Sequence, residues 1–309
     1  MSWRPGADPE CRSERGPSSV QTHLVPKEAD IGGLVVGRLL PTRQQRSVGP
    51  FIFFDHMGPA EFAAGEGLDV QPHPHIDLAT VTYLFEGAIV HRDSLGSLQT
   101  IRPGEINWMT AGEGIVHSER SPADERARAS RLHGVQLWLA VPADQEGGAP
   151  SFDHTPLEAL PEVELRGGGV RVLIGSGFGV CSPVETLSET FYADALLEPG
   201  GTLRLPDEHE ERALFLVEGA LSCEGERYRG PCMLVFRPGC VAEVGAEGEA
   251  ECRLLLLGGA PLGRRHMSWN FVSSARERVD QAREDWRAQR LERFPKVPGD
   301  EDEFVPLPE

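Results

Sequence analysis

Short runs rich in β-branched and aromatic residues, separated by turns containing Gly and Pro, recur along this chain from about residue 22. Residues 34–40 and 51–55 are the first two. Residues 79–87 alternate in polarity, end in Glu86-Gly87 and lead into a further strand over 89–91. Asp93-Ser94-Leu95-Gly96 and Pro103-Gly104 read as turns. Residues 105–110 are again strand-like, and 134–141 form an apolar strand stopped by Pro142. Beyond a polar connection at 143–152, strands are predicted at 170–174, 191–197, 213–217 and 252–257. The pattern predicts an all-β protein with a single exception. Val279, Ala282 and Trp286 fall at helical spacing behind Ser274-Ala275-Arg276-Glu277, which has the form of a capping box, so a helix is expected over 274–290.

The two halves follow the same order. Thr80–Gly87 and Arg212–Gly219 are both apolar strands ending in Glu-Gly, and each is followed by a hairpin and a Gly that opens another apolar strand, at Gly104 and at Gly230. This is a weak internal repeat of one antiparallel β-barrel unit. The predicted organisation is a disordered leader over 1–22, a first barrel over 23–142, a second over 143–272, and a helix with an acidic tail over 273–309.

Composition adds bounds. The chain has 309 residues, with 35 Gly and 25 Pro, which suits many short strands and turns. Its net charge of −18 makes direct binding to nucleic acid or to an anionic membrane a poor expectation. No apolar run is long enough for a membrane span, and the first residues have no apolar signal core, so a cytoplasmic protein is expected. The six Cys have no zinc-site spacing and read as reduced, mostly buried thiols.

The candidate chemistry sits in the first half. His73-Pro74-His75 and His117-Ser118-Glu119 each place two metal-ligand side chains two residues apart, and on a strand such pairs share a face. Three neutral imidazoles and a carboxylate suit a divalent first-row metal, Fe(II), Mn(II), Ni(II) or Zn(II). Asp77 is a rival carboxylate, two residues past His75. His56 reads either as a partner holding a ligand imidazole or as an ordinary turn residue. His91, His133 and His154 read as structural or solvated. Counting through the repeat places Leu205, Asp207, Glu243 and Gly245 opposite the four candidate ligands, so the second barrel is expected to lack a metal.

Gly67, six residues before His73, and Gly112-x-Gly114-x-x-His117 resemble the two cupin motifs. The chain resembles the pirin family more closely, through Asp55-His56-Met57-Gly58-Pro59, His73-Pro74-His75-Ile76, His91-Arg92-Asp93-Ser94, Asn107-Trp108-Met109-Thr110-Ala111-Gly112 and Trp269-Asn270-Phe271-Val272. The resemblance implies a bicupin with metal in the N-terminal barrel only, usually Fe(II), held by His73, His75, His117 and Glu119. It also implies one of two functions. One is dioxygenase activity of the quercetin 2,3-dioxygenase type on a small aromatic, flavonol-like substrate, for which Glu119 is the expected proton acceptor. The other is a non-enzymatic, iron-dependent redox regulator that binds a partner protein. The usual cupin Glu after the second His is missing, since Ala79 and Thr80 stand there.

Overall fold

The computed structural model describes residues 10–13, 18–31 and 34–308. It contains the expected pair of antiparallel β units, each built from one large and one small sheet. In the first unit the large sheet runs Ser151–Thr155, Ile106–Thr110, Leu78–Glu86, Ser130–Ala140, Phe51–Phe62, Val35–Leu40, Lys27–Asp30. The small sheet runs Asp69–His75, Ile115–Arg120, Ile89–Asp93, Leu98–Ile101. In the second unit a small sheet of the same plan runs Thr202–Arg204, Glu243–Ala246, Ala220–Cys223, Glu226–Arg229. It accompanies a nine-stranded sheet centred on Glu211–Glu218 and Cys252–Gly259. The repeat read from Glu-Gly is therefore geometric. Gly87 and Gly219 both take positive φ, +87° and +93°, at the same turn of their units.

The two units meet through their large sheets. Phe54, Tyr83 and Leu137 from one side pack with Tyr192, Phe215 and Leu255 from the other in a single buried apolar cluster. Burial of this much aliphatic and aromatic surface is the main attraction between them. Within it, Tyr83 donates a hydrogen bond to Asp194 at 2.6 Å, and Arg253 clamps the same carboxylate from the side.

The units also exchange chain across the expected boundaries. Val20–Val25 pairs with Cys232–Phe236 of the second unit, and Glu10–Ser13 pairs with Val20–Val25. The disordered-leader reading thus fails for 10–13 and 18–22, because Val20, Thr22 and Leu24 alternate inward and are buried. Residues 1–9 and 14–17 of that leader lie outside the described residues. Ser151–Thr155, placed beyond the first unit by sequence, is instead an edge strand of its large sheet.

The C-terminal helix spans Arg276–Arg287, shorter than the 274–290 expected, and buries Val279, Ala282 and Trp286 as its spacing requires. The capping box does not form. Ser274 donates its hydroxyl and its N–H to the Glu146 carboxylate at 2.9 and 2.8 Å, so Ala275 stands at the N-cap and the helix begins without a side-chain cap. The helix and tail pack against the first unit. Arg278 forks onto Asp77 at 2.7 and 2.8 Å, and the Val305 N–H donates to the Pro72 carbonyl at 2.8 Å. Phe304 touches Trp286 edge-on but stays partly exposed. The described thiols are free, with Cys223, Cys232 and Cys252 buried and Cys181 exposed.

Candidate metal centre

Asp69–His75 is the edge strand of the first unit's small sheet, which is why it tolerates Pro72 and Pro74. The prolines alternate with His73 and His75, so prolines take one face and imidazoles the other. Opposite lies Ile115–Arg120, with His117 registered on His73. The turn before it needs Gly112. Its φ is +53°, and a Cβ there would stand 2.2 Å from the Gly148 carbonyl oxygen. Gly67 has a similar reason, since a Cβ would meet Ser121 at 2.7 Å.

The three imidazoles converge as the spacing predicts. One ligand nitrogen from each of His73, His75 and His117 lies within 4.8 Å of the others, and all three side chains are buried. Ring centroids are 4.3 Å apart for His73 and His117, and 5.1 Å for each of the other two pairs. Burial holds all three pKa values well below the ordinary histidine value, with neighbouring imidazoles adding to the shift at His73 and His117, so the rings are neutral.

Hydrogen bonds then select the tautomers. The Nδ1–H of His73 donates to the Gln71 carbonyl at 2.9 Å, and that of His75 to the Asn270 carbonyl at 3.1 Å. Asp93 lies below its usual pKa; burial raises it, but hydrogen bonds from His91 and Ser97 outweigh that. It therefore accepts from Nε2–H of His91 at 3.0 Å. In a neutral ring this leaves Nδ1 of His91 as an acceptor, 3.4 Å from Nδ1 of His117, which donates. Each ligand ring thus carries its lone pair on Nε2. Nε2 of His75 and of His117 are buried with no hydrogen-bond partner. An orphaned pair of lone pairs in a dry pocket is costly without a partner, and a cation supplies one. The residues fit a metal.

The other candidates fall differently. Glu119 is buried on the same strand, but its carboxylate is not part of the three-histidine group, and a register shift between His117 and Glu119 interrupts the pairing with Asp69–His75. Asp77 is removed from contention as a ligand. The strand ends at His75, Asp77 takes φ +53°, and its carboxylate is taken by Arg278 and the Gly147 N–H. His56 holds no ligand imidazole. Its Nε2 is 2.8 Å from Nε2 of His133 at the junction of the two units, edge-on to Phe215. Burial lowers the pKa of each to about 4. His154 bonds Asn107 at 2.8 Å, outside the three-histidine group.

Three residues of the centre escaped the sequence reading. His91 orients His117 and stacks on Phe152 at 4.2 Å; the i, i+2 spacing of His91 and Asp93 was the available signal. Asn270 closes the chain onto His75 from 195 residues away. Trp138 stands edge-on to His75 at 5.1 Å, and Phe53 stacks behind it at 4.1 Å. Phe54, Trp108 and Met109 fill the core.

A two-unit β protein with one three-histidine centre is the plan of a bicupin. The pirin family model matches residues 33–139, and the model of the pirin C-terminal cupin domain matches 192–292. A pirin-like protein of Caulobacter vibrioides is 46% identical over 288 residues, 92% of this chain and 97% of the relative. This chain belongs to the pirin family. Among solved structures, a quercetin 2,3-dioxygenase from Acinetobacter baumannii superposes with a TM-score of 0.84 at 35% identity, over 93% of this chain and 94% of that one. A bacterial pirin from Escherichia coli, solved in complex with nickel(II), shares the fold at 20% identity and a TM-score of 0.60, over 77% of this chain and 99% of that one. No helix among the described residues is long and apolar enough to cross a membrane.

Proposed function

We propose that this pirin is an iron-dependent dioxygenase of the quercetin 2,3-dioxygenase type, acting on a flavonol-like substrate. The observation that carries the reading is the convergence of three buried imidazoles, each held from behind by a partner, with the Nε2 atoms of His75 and His117 left unpartnered. His73, His75 and His117 hold the ion as neutral ligands. Three protein nitrogens leave coordination positions open, as a catalytic rather than a purely structural site requires. A bound ferrous ion supplies Lewis acidity toward a substrate hydroxyl and a partner for O2.

The chain's own groups do the rest. Asp93 and His91 keep His117 in its donor-behind, acceptor-inward tautomer. Trp138 and Phe53 wall His75 with aromatic surface and keep water from that side. Glu119, buried one strand position beyond Ser118, is assigned as the carboxylate that completes the ligand shell and accepts the substrate's hydroxyl proton. The similarity to the Acinetobacter enzyme supports the substrate class.

The test is anaerobic reconstitution with Fe(II), followed by quercetin turnover and O2 uptake, comparing wild type, His117→Ala and Glu119→Gln. Turnover that needs iron and His117 is expected. Glu119→Gln should retain part of its iron and lose turnover; normal turnover in that variant removes Glu119 from the proton step. Tight iron binding without turnover by wild type sinks the oxygenase reading in favour of a redox regulator.

A further inference from the structure

A cavity of roughly 690 Å³ opens where the hairpin His266–Ser268 and Phe271–Ser273 meets the start of the C-terminal helix and the loop between Val35–Leu40 and Phe51–Phe62. Its lining has an unusual charge. Arg46, Arg264, Arg265, Arg276 and His266 face it, against the two carboxylates of Glu211 and Asp280. That is a local basic excess on a chain with 48 acidic and 30 basic residues.

The arginines are not equivalent. Arg265 is structural: it is buried, donates to the carbonyls of Leu262 and Val141 at 2.6 and 2.7 Å, and lies 3.3 Å from Glu146. Glu211 is likewise engaged, accepting the Gly49 N–H at 2.6 Å. Arg46, Arg264 and Arg276 are exposed, and among the described residues none has a carboxylate within 4.0 Å or a side-chain hydrogen bond. Elsewhere guanidiniums are commonly paired, as Arg38 is with Asp55, Arg120 with Asp300 and Arg253 with Asp194. The lining also includes the apolar side chains of Ile52, Met267 and Val279.

We infer that this pocket binds a small organic anion, with a carboxylate or phosphate head on the arginines and an apolar body against Ile52, Met267 and Val279. Guanidinium forks match both head groups in a bidentate way. The volume lies in the usual range for small-molecule sites. An extended polyanion is disfavoured, because beyond the pocket it meets a surface of the opposite tendency. The site is separate from the three-histidine centre. The hairpin reaches that centre through Asn270 in its turn, whereas the pocket is lined by the preceding strand, His266–Ser268.

The experiment is calorimetric titration of the full chain at low salt with phenyl phosphate, benzoate and inorganic phosphate. At least one organic probe is expected to bind saturably at one site, at least about tenfold more tightly than inorganic phosphate. The better of the two organic probes identifies the head group. The double variant Arg264→Ala, Arg276→Ala should weaken that probe at least about tenfold, with an unchanged circular dichroism spectrum because both side chains are exposed. His117→Ala should bind the probe as wild type does, which separates this pocket from anion binding at a metal. No saturable binding of either organic probe, equal affinity in the arginine variant, or loss of binding in His117→Ala overturns the inference.

Discussion

The small sheets of the two units have the same strand plan and opposite interiors. In the first, His117 faces His73 across the ladder and the space between them is polar and buried. In the second, the corresponding pair of strands sets Val244 against Leu203, and both join Leu205, Leu221 and Ala246 in a continuous apolar core. Asp207, counted opposite His75 through the repeat, pairs with Arg204 in solvent. The difference teaches that strand spacing is the smaller part of this centre. Inward lone pairs need acceptors behind every ring, and only the first unit has them, from Gln71 on its own strand, from His91 on the next, and from Asn270 on a distant hairpin.

The comparison is broken most severely at His117. His117→Ala should lower Fe(II) or Co(II) affinity by more than about 100-fold, beyond the effect usual for outer partners of a metal site. Wild-type affinity in an anaerobic titration would move the metal elsewhere. The converse experiment installs histidine in the second unit. Leu203→His buries an imidazole with no acceptor placed for it, and should cost about 2–4 kcal/mol in urea denaturation without creating a metal site. Metal uptake by that variant would show that spacing alone suffices.

A finer probe is His91→Phe, which can keep an aromatic ring on Phe152 but removes the acceptor behind His117 and the donor to Asp93. Metal affinity should fall roughly 10–100-fold, and apo stability should fall by about 1–3 kcal/mol for the unpaired carboxylate. An unchanged affinity would reduce His91 to packing. The smallest effect is expected at the junction of the units. His56 and His133 titrate near 4 in the folded protein and near 6.5 when unfolded. Below pH 6.5 the unfolded chain takes up protons that the folded one refuses, so stability falls from about pH 6.5 to about 4 and is flat with respect to this pair above. His56→Phe should make the decline in urea midpoint shallower over that window; an identical slope would assign the acid sensitivity to other groups.

The strands, the repeat and the three histidines were legible because each rests on short-range periodicity. The misreadings share a cause. Asp77 was a rival ligand only if the strand continued, and the backbone turns left-handed there instead. The capping box at Ser274 lost to a buried carboxylate, Glu146, that no local pattern reveals. His91, Asn270 and Trp138 act across strands or across most of the chain. The exchange of Val20–Val25 and Ser151–Thr155 between units is equally invisible, since edge strands read alike whichever sheet they complete.

The bond from His75 to Asn270 has a consequence for biogenesis. A ribosome makes His73, His75 and His117 in the first two-fifths of the chain, yet the carbonyl that orients His75 emerges 195 residues after it. The first unit also waits for the tail residue Val305, which bonds Pro72, to cover its edge. Until Asn270 has emerged, His75 is free to present either nitrogen, and a nascent chain offers only a looser and less selective arrangement of the three imidazoles. Selectivity for one metal at this site would therefore arise only once Asn270 stands behind His75.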